Sequence, residues 1–151
     1  MSERNANAIR VLLVDDEHTT PMIMKHCLIK QGNYHIQICH NGKIAVETLR
    51  QENFDICFMD ILMPIMSGVE ATLIIRQEIS SKMPIIAITA STMKSTRDAC
   101  YDVGMNDFIV KPVNADELMD LINLYTTQNT ANRTETIFNK AIFPNYTENI
   151  S

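Results

Sequence analysis

Short apolar runs along the chain alternate with stretches whose apolar positions recur at helical spacing. Ile9–Val14 is β-branched and apolar and stops at Asp15-Asp16, the signature of a strand buried on both faces. Thr20-Pro21 opens a helical pattern, with Pro in the first turn where its missing N–H costs nothing. Met22, Ile23, Cys27 and Ile29 supply its apolar positions, and Gly32 ends it. Tyr34–Cys39 alternates polar and apolar residues as a strand does. Asn41 then caps a helix carried by Ile44, Ala45, Val46 and Leu49.

The same alternation continues to residue 125. Phe54–Met59 reads as a strand ending at Asp60, and Gly68–Ile79 as a helix with an apolar stripe of Val69, Leu73, Ile74 and Ile75. Pro84–Ile88 reads as a strand ending at Thr89, and Met93–Val103 as a polar, marginal helix closed by Gly104. Asp107–Val110 is a short strand running into Lys111-Pro112. Asn114 caps a last helix, Ala115–Tyr125, with Leu118, Leu121, Ile122 and Leu124 facing inward. Strand–helix alternation of this kind predicts an α/β fold: a three-layer, doubly wound sheet of five parallel strands with right-handed crossovers. Residues 1–8 are expected to be a flexible N-terminus, 9–125 the domain, and 126–151 a Thr/Asn-rich tail, flexible except where Ile137, Phe138, Ile142 and Phe143 pack or dock.

Composition narrows the function classes. Of 151 residues, 46% are hydrophobic, enough for an ordinary core. Acidic residues outnumber basic ones 18 to 13, which argues against non-specific nucleic-acid binding. No apolar run is long enough for a membrane span, and the N-terminus carries no secretory pattern. Cys27, Cys39, Cys57 and Cys100 are spread widely with no CxxC pair, which excludes a zinc site by spacing and favours a reducing, cytoplasmic setting. Sequons at Asn132, Asn145 and Asn149 read as by-products of the tail composition.

In a parallel sheet, chemistry collects beyond the carboxyl ends of the strands. The residues at those ends are Asp15, Asp16, Asp60, Thr89 and Lys111. Singly, each Asp is an ordinary turn former or cap, Thr89 a structural hydroxyl and Lys111 a solvated charge. Jointly they put three carboxylates, a hydroxyl and an ammonium at one mouth. Clustered carboxylates need a cation to stay ionised, and an all-oxygen site suits Mg²⁺. A carboxylate nucleophile, a divalent metal and positioned donors together describe phosphoryl transfer to Asp.

Four segments, VLLVDDE at 11–17, FDICFMDILMPIMSGVE at 54–70, PIIAITAS at 84–91 and GMNDFIVKPV at 104–113, strongly resemble the receiver domain of two-component response regulators. The resemblance implies a flavodoxin-like strand order 2-1-3-4-5. It implies that Asp60 accepts the phosphoryl group, that Asp15, Asp16, Asp60 and the Leu62 carbonyl hold Mg²⁺, and that Thr89 and Lys111 contact the phosphoryl group. It also implies a cis Lys111-Pro112 bond and an aromatic switch at Phe108, here without the hydroxyl of the more frequent Tyr. The implied donor is a phosphohistidine on a histidine kinase or histidine phosphotransfer protein, and the output a downstream effector protein rather than DNA. An apolar Leu62 cannot orient an attacking water, which implies a long-lived phospho-form; Ser91 occupies the second position that tunes hydrolysis. Ser67, in place of a frequent Asp, is expected to alter the turn and not the chemistry.

Three alternatives compete with this reading. A dehalogenase-type phosphatase wants an acid two residues after the nucleophile, where this chain has Leu62. A pseudo-receiver scaffold would have lost an acidic or Lys position, and none is lost. A receiver fragment of a hybrid histidine kinase is the remaining one. For the donor, the surface around Thr19–Ile23 and Pro112–Asn114 is expected to serve, with core packing of Met22 and Ile23 an equal reading. The face formed by Met93–Val103, Asp107–Val110 and the last helix is the expected effector or dimer surface.

Overall fold

The structure is a computed structural model that describes residues 8–126. The expectations for residues 1–7 and 127–151, including the flexible termini and the sequons, lie outside the described residues. Five strands, β1 (Ile9–Val14), β2 (Tyr34–Cys39), β3 (Ile56–Asp60), β4 (Ile85–Thr89) and β5 (Asp107–Val110), form one parallel sheet in the order β2-β1-β3-β4-β5. They alternate with helices α1 (Thr19–Gln31), α2 (Gly42–Gln51), α3 (Gly68–Glu78), α4 (Lys94–Asp102) and α5 (Ala115–Thr126). The flavodoxin-like order expected from the resemblance is the one observed.

The central strands β3 and β4 are buried along their whole length, as continuous apolar runs require. Successive side chains point to opposite faces and divide the core in two. Leu12, Val14, Cys57 and Met59 pack with α2 and α3 through Ala45, Leu49, Ala71 and Ile75. Val11, Leu13, Ile56 and Phe58 pack with α1 and α5 through Met24, Leu28, Leu118 and Ile122. All four cysteines are free, and Cys39, Cys57 and Cys100 are buried among apolar neighbours. Among the described residues no helix is long and apolar enough to cross a membrane.

The caps follow the sequence. Asn41 Oδ1 accepts the Ile44 N–H at 2.9 Å, and Asn114 Oδ1 accepts those of Asp116 and Glu117 at 2.8 and 3.1 Å. Gly32 and Gly104 have positive φ, 150° and 101°, where they close α1 and α4. Ser67 does more than alter a turn, because its Oγ accepts the Glu70 N–H and caps α3.

Two expectations about packing are corrected. On α1 the buried residues are Pro21, Met24 and Leu28, while Met22, Ile23 and Ile29 are 57%, 50% and 59% exposed. Apolar residues fall all round this helix, so spacing alone cannot tell which side turns inward, and core packing of Met22 and Ile23 is excluded. On α3 Leu73 is 44% exposed; the small Ala71 and Thr72 fill the inner face with Ile75, and Val69 and Ile74 are half-buried. On α5 Leu118, Leu121 and Ile122 are buried, as expected, and Leu124 is half-buried.

Candidate functional site

The parallel topology brings four strand ends to one edge of the sheet. Asp15 and Asp16 follow β1, Asp60 and Thr89 are the last residues of β3 and β4, and Lys111 follows β5. Oxygens of Asp15, Asp16 and Asp60 lie within 4.8 Å of one another. The Lys111 ammonium sits 3.1 Å from Asp15 Oδ2, 3.5 Å from Asp60 Oδ2 and 3.7 Å from Glu17 Oε2. The Lys111-Pro112 peptide bond is cis, as the resemblance implied.

Asp15 is fully buried and Asp60 is 6% exposed. One Asp15 oxygen accepts the Glu17 N–H at 2.9 Å, and the carbonyl of Asp15 is tied to the His40 ring at 3.1 Å. Its buried Oδ2 makes no well-formed hydrogen bond among the described residues and has the Lys111 ammonium as its neighbour. Burial pushes the Asp60 carboxyl up to about 7; the Asp15 charge adds to this, and Lys111 opposes it. Burial works against the Lys111 ammonium, but its contact with Asp15 and the Asp60 charge outweigh that and hold it above its ordinary value.

The site therefore holds more negative charge than one lysine balances, all of it on hard oxygen donors. That donor set, with a buried carboxylate oxygen lacking a good hydrogen bond, fits a small divalent cation that keeps several waters.

An open cavity of about 700 Å³ begins at this cluster and runs between α3 and α4, lined by Asp16, Glu17, Asp60, Leu62, Thr89 and Lys111 at one end and Val69, Ser95 and Ala99 at the other. Leu62 stands at its rim with its side chain 83% exposed. The Thr89 hydroxyl accepts the Ser91 N–H at 2.9 Å and leans on the Ser91 carbonyl at 3.4 Å, so it is engaged with the loop after β4. Ser91 Oγ in turn meets Thr96 Oγ1 at 3.3 Å and accepts the Met93 N–H, which couples that loop to the start of α4.

Phe108 does not line the cavity. Its ring is half-buried against the α2–α3 side of the core, and the Arg97 guanidinium lies 5.0 Å from its centroid. Arg97 also donates to the Thr92 carbonyl, while its Nε is buried with no hydrogen bond among the described residues.

Several participants were not singled out by sequence reasoning. Glu17 follows the acidic pair directly and was visible as part of its motif. Arg97 carried no signal, because its contact with Phe108 depends on how α4 lies over β5. Gly68 packs against the Asp60 backbone and donates its N–H to the Ile61 carbonyl at 2.9 Å, closing the loop between β3 and α3. Within that loop Ile65 adopts φ 71°, an uncommon conformation for a β-branched residue.

The response regulator receiver domain family matches residues 11–123. The autoinducer 2 sensor kinase/phosphatase LuxQ of Vibrio vulnificus is 37% identical over 112 residues, covering 74% of this chain and 13% of the relative. The signal transduction histidine-protein kinase BarA of Escherichia coli is 31% identical over 126 residues, covering 83% of this chain and 14% of BarA. The chain thus spans a small fraction of the curated relatives it matches.

Among solved structures, the receiver domain of the Pseudomonas aeruginosa sensor histidine kinase PA1611, with magnesium coordinated in its active-site cleft, is similar with a TM-score of 0.74 and 30% identity over 80% of this chain and 99% of the other. The complex of the Saccharomyces cerevisiae histidine phosphotransfer protein Ypd1 with the receiver domain of its response regulator Ssk1 is similar with a TM-score of 0.73 and 27% identity over 80% of this chain and 90% of the other. Sheet order, the acidic strand ends and the family match agree, and the chain belongs to the response regulator receiver domains of two-component and phosphorelay signalling.

Proposed function

We propose that Asp60 is the phosphoacceptor, taking a phosphoryl group from a phosphohistidine of a histidine kinase or histidine phosphotransfer protein. The observation that carries this reading is the convergence of a nearly buried Asp60 with Asp15, Asp16 and the Lys111 ammonium at one cavity. An Asp60 oxygen attacks phosphorus, the P–O bond forms as the P–N bond breaks, and the imidazole leaves with the electron pair of that bond. Lys111 is placed to pair with the transferred group, exchanging part of its contact with Asp60 for a phosphoryl oxygen. Thr89 can supply a hydroxyl to a second oxygen by giving up its bonds to Ser91.

Asp15, Asp16 and Asp60, with the Leu62 carbonyl, would hold Mg²⁺. When bound, that ion offsets the charge on carboxylate and phosphoryl oxygens. Withdrawal of Thr89 from Ser91 would release the Ser91–Thr96 contact and shift the loop before α4, the helix whose Arg97 lies over the Phe108 ring. This is a two-state element that an added charge can bias. A phosphohistidine-bearing bundle is the donor that the Ypd1–Ssk1 likeness supports. We place it on the surface around Thr19–Ile23 and Pro112–Asn114, where Met22 and Ile23 are exposed. The output passes to an effector protein through the α4–β5–α5 face, in a cytoplasmic setting.

The test is intact mass after incubation with acetyl phosphate and Mg²⁺. One added phosphate is expected, lost in Asp60→Asn and lost with chelator. Uptake by Asp60→Asn equal to that of the unaltered chain would overturn the assignment.

A further inference from the structure

The start of α2 touches two sides of the acidic cluster at once. β2 runs beside β1 as far as Cys39, whose carbonyl accepts the Asp15 N–H at 3.0 Å. The chain then leaves the sheet, and a side chain makes the next contact: His40 Nδ1 lies 3.1 Å from the Asp15 carbonyl oxygen. A carbonyl only accepts, so Nδ1 carries the proton and donates, in the neutral ring and the charged one alike. The His18 ring, from the residue before α1, lies against His40 with centroids 4.6 Å apart.

Asp15 is thereby held at four points. Its N–H is bonded by Cys39 and its carbonyl by His40, one carboxylate oxygen accepts the Glu17 N–H, and the other faces the Lys111 ammonium. With a side chain this short and fully buried, the backbone position decides where the carboxylate oxygens lie.

Two residues on, the same turn meets the other side of the cluster. A β-carbon on Gly42 would stand 2.7 Å from the Met66 carbonyl oxygen and 3.1 Å from the Ala71 β-carbon. Gly42 lacks the positive φ that Gly32 and Gly104 adopt, so the need here is for room alone. Met66 belongs to the loop between β3 and α3 that also carries Leu62, and its N–H bonds the Pro64 carbonyl at 2.7 Å. The turn that makes both contacts is itself fixed, because Asn41 caps it and Ala45 and Leu49 anchor the helix in the core.

We infer that the first turn of α2 braces the acidic cluster, with His40 and Gly42 as positioning residues. His40 holds the Asp15 end of β1 through its backbone carbonyl, and Gly42 sets how closely the loop carrying Leu62 approaches. Neither residue is a metal ligand; each acts through a group that would hold the cation. That consequence for metal rests on the reading given above, whereas the brace itself does not. Partners one bond removed from a metal change its affinity by about 10–100-fold when they are lost.

Two measurements on the full-length chain test this. Amide hydrogen exchange without metal reads the brace directly. His40→Leu, which keeps much of the bulk and removes the donor, should speed exchange at the Asp15 and Glu17 amides several-fold, with urea unfolding unchanged. His40→Asn can still present an N–H to the Asp15 carbonyl and should return exchange to that of the unaltered chain. Calorimetric Mg²⁺ titration at pH 8, above the value of about 7 for Asp60, gives the second readout. His40→Leu should bind about tenfold more weakly, His40→Asn should recover the affinity, and Gly42→Ala should also bind more weakly. Equal exchange and equal affinity in His40→Leu and the unaltered chain would overturn the inference. So would a His40→Asn chain no better than His40→Leu, which would assign the effect to ring packing on His18. If the unaltered chain takes up no Mg²⁺, the metal reading fails, and the exchange rates alone confirm or overturn the brace.

Discussion

Gly68 packs its α-carbon against the backbone carbonyl of Asp60, so that a β-carbon at position 68 would run into that oxygen. The glycine is required by proximity, and it sets how closely α3 approaches the carboxylate that ends β3. Gly68→Ala should force the two backbones apart, costing about 1–3 kcal/mol as an overpacked core position does. Urea unfolding reads the stability loss, and phosphate uptake from acetyl phosphate should fall with it. Unchanged stability would mean that the loop between β3 and α3 yields freely.

Asp60 carries a penalty that depends on pH. Its carboxyl is held up to about 7, against an ordinary value of 3.8, first by burial and then by Asp15. A group raised in the folded state contributes stability that is fully present below the unfolded value and is lost as pH rises through the folded one. Without divalent metal, the chain should therefore lose stability between pH 4 and pH 8 on account of this residue. Asp60→Asn, which cannot ionise, should exceed the unaltered chain by on the order of 2 kcal/mol at pH 8 and by less at pH 5. Denaturation at the two pH values in chelator checks this; a difference that grew toward pH 5 would contradict it.

Metal affinity should follow the same proton. A cation held by Asp15, Asp16 and Asp60 needs the last of these ionised, and below about 7 it must displace a proton from it. Mg²⁺ binding should weaken by up to about tenfold per pH unit below that value and level off above it. Calorimetric titrations at pH 6, 7 and 8 measure the trend. A flat affinity over that range would show that Asp60 contributes no charge to the metal.

The sheet was legible because burial on both faces forces unbroken apolar runs, and Asp15-Asp16, Asp60, Thr89 and Lys111 stand where those runs stop. Once the strands are parallel, their ends must share an edge, so the site assembled itself from the pattern. Helix facing was less legible. α1 has apolar residues on every side, and nothing local distinguishes Met24 and Leu28, which are buried, from Met22 and Ile29, which are not. Contacts between distant elements left no periodic trace at all. Arg76 donates to the Gly104 and Ser80 carbonyls and to Asn106 Oδ1, which also accepts the Ile85 N–H, and this tie of α3 to the loop before β5 depends on positions 30 residues apart.

Arg97 should matter more for the Phe108 ring than for stability. A cation over an aromatic face contributes about 0.5–1 kcal/mol at a partly exposed site. Here the buried Nε, which has no hydrogen bond among the described residues, offsets part of that. Arg97→Met should leave the unfolding free energy within about 1 kcal/mol of the unaltered chain while loosening the ring, which Phe108 has no hydroxyl to anchor. Fluorine NMR of fluorophenylalanine at position 108 should show a changed line in the variant. An unmoved line together with a large loss of stability would make Arg97 a packing residue only.

The lifetime of the phosphorylated chain should be governed by Leu62. Its side chain is 83% exposed at the rim of the cavity that holds Asp60, so water reaches the site, yet an isobutyl group offers no hydrogen bond to hold a water in line with phosphorus. Hydrolysis then depends on unpositioned water, and the acyl phosphate should outlast the time of a mass measurement. Leu62→Asn supplies a donor and an acceptor at the same rim without touching the core. It should speed decay by about tenfold, equivalent to 1.4 kcal/mol of barrier. Decay is followed by intact mass after removal of the phosphodonor, in Mg²⁺ buffer. If both proteins lose phosphate at the same rate, water is positioned elsewhere, and the Ser91 hydroxyl on the loop after β4 becomes the next group to substitute.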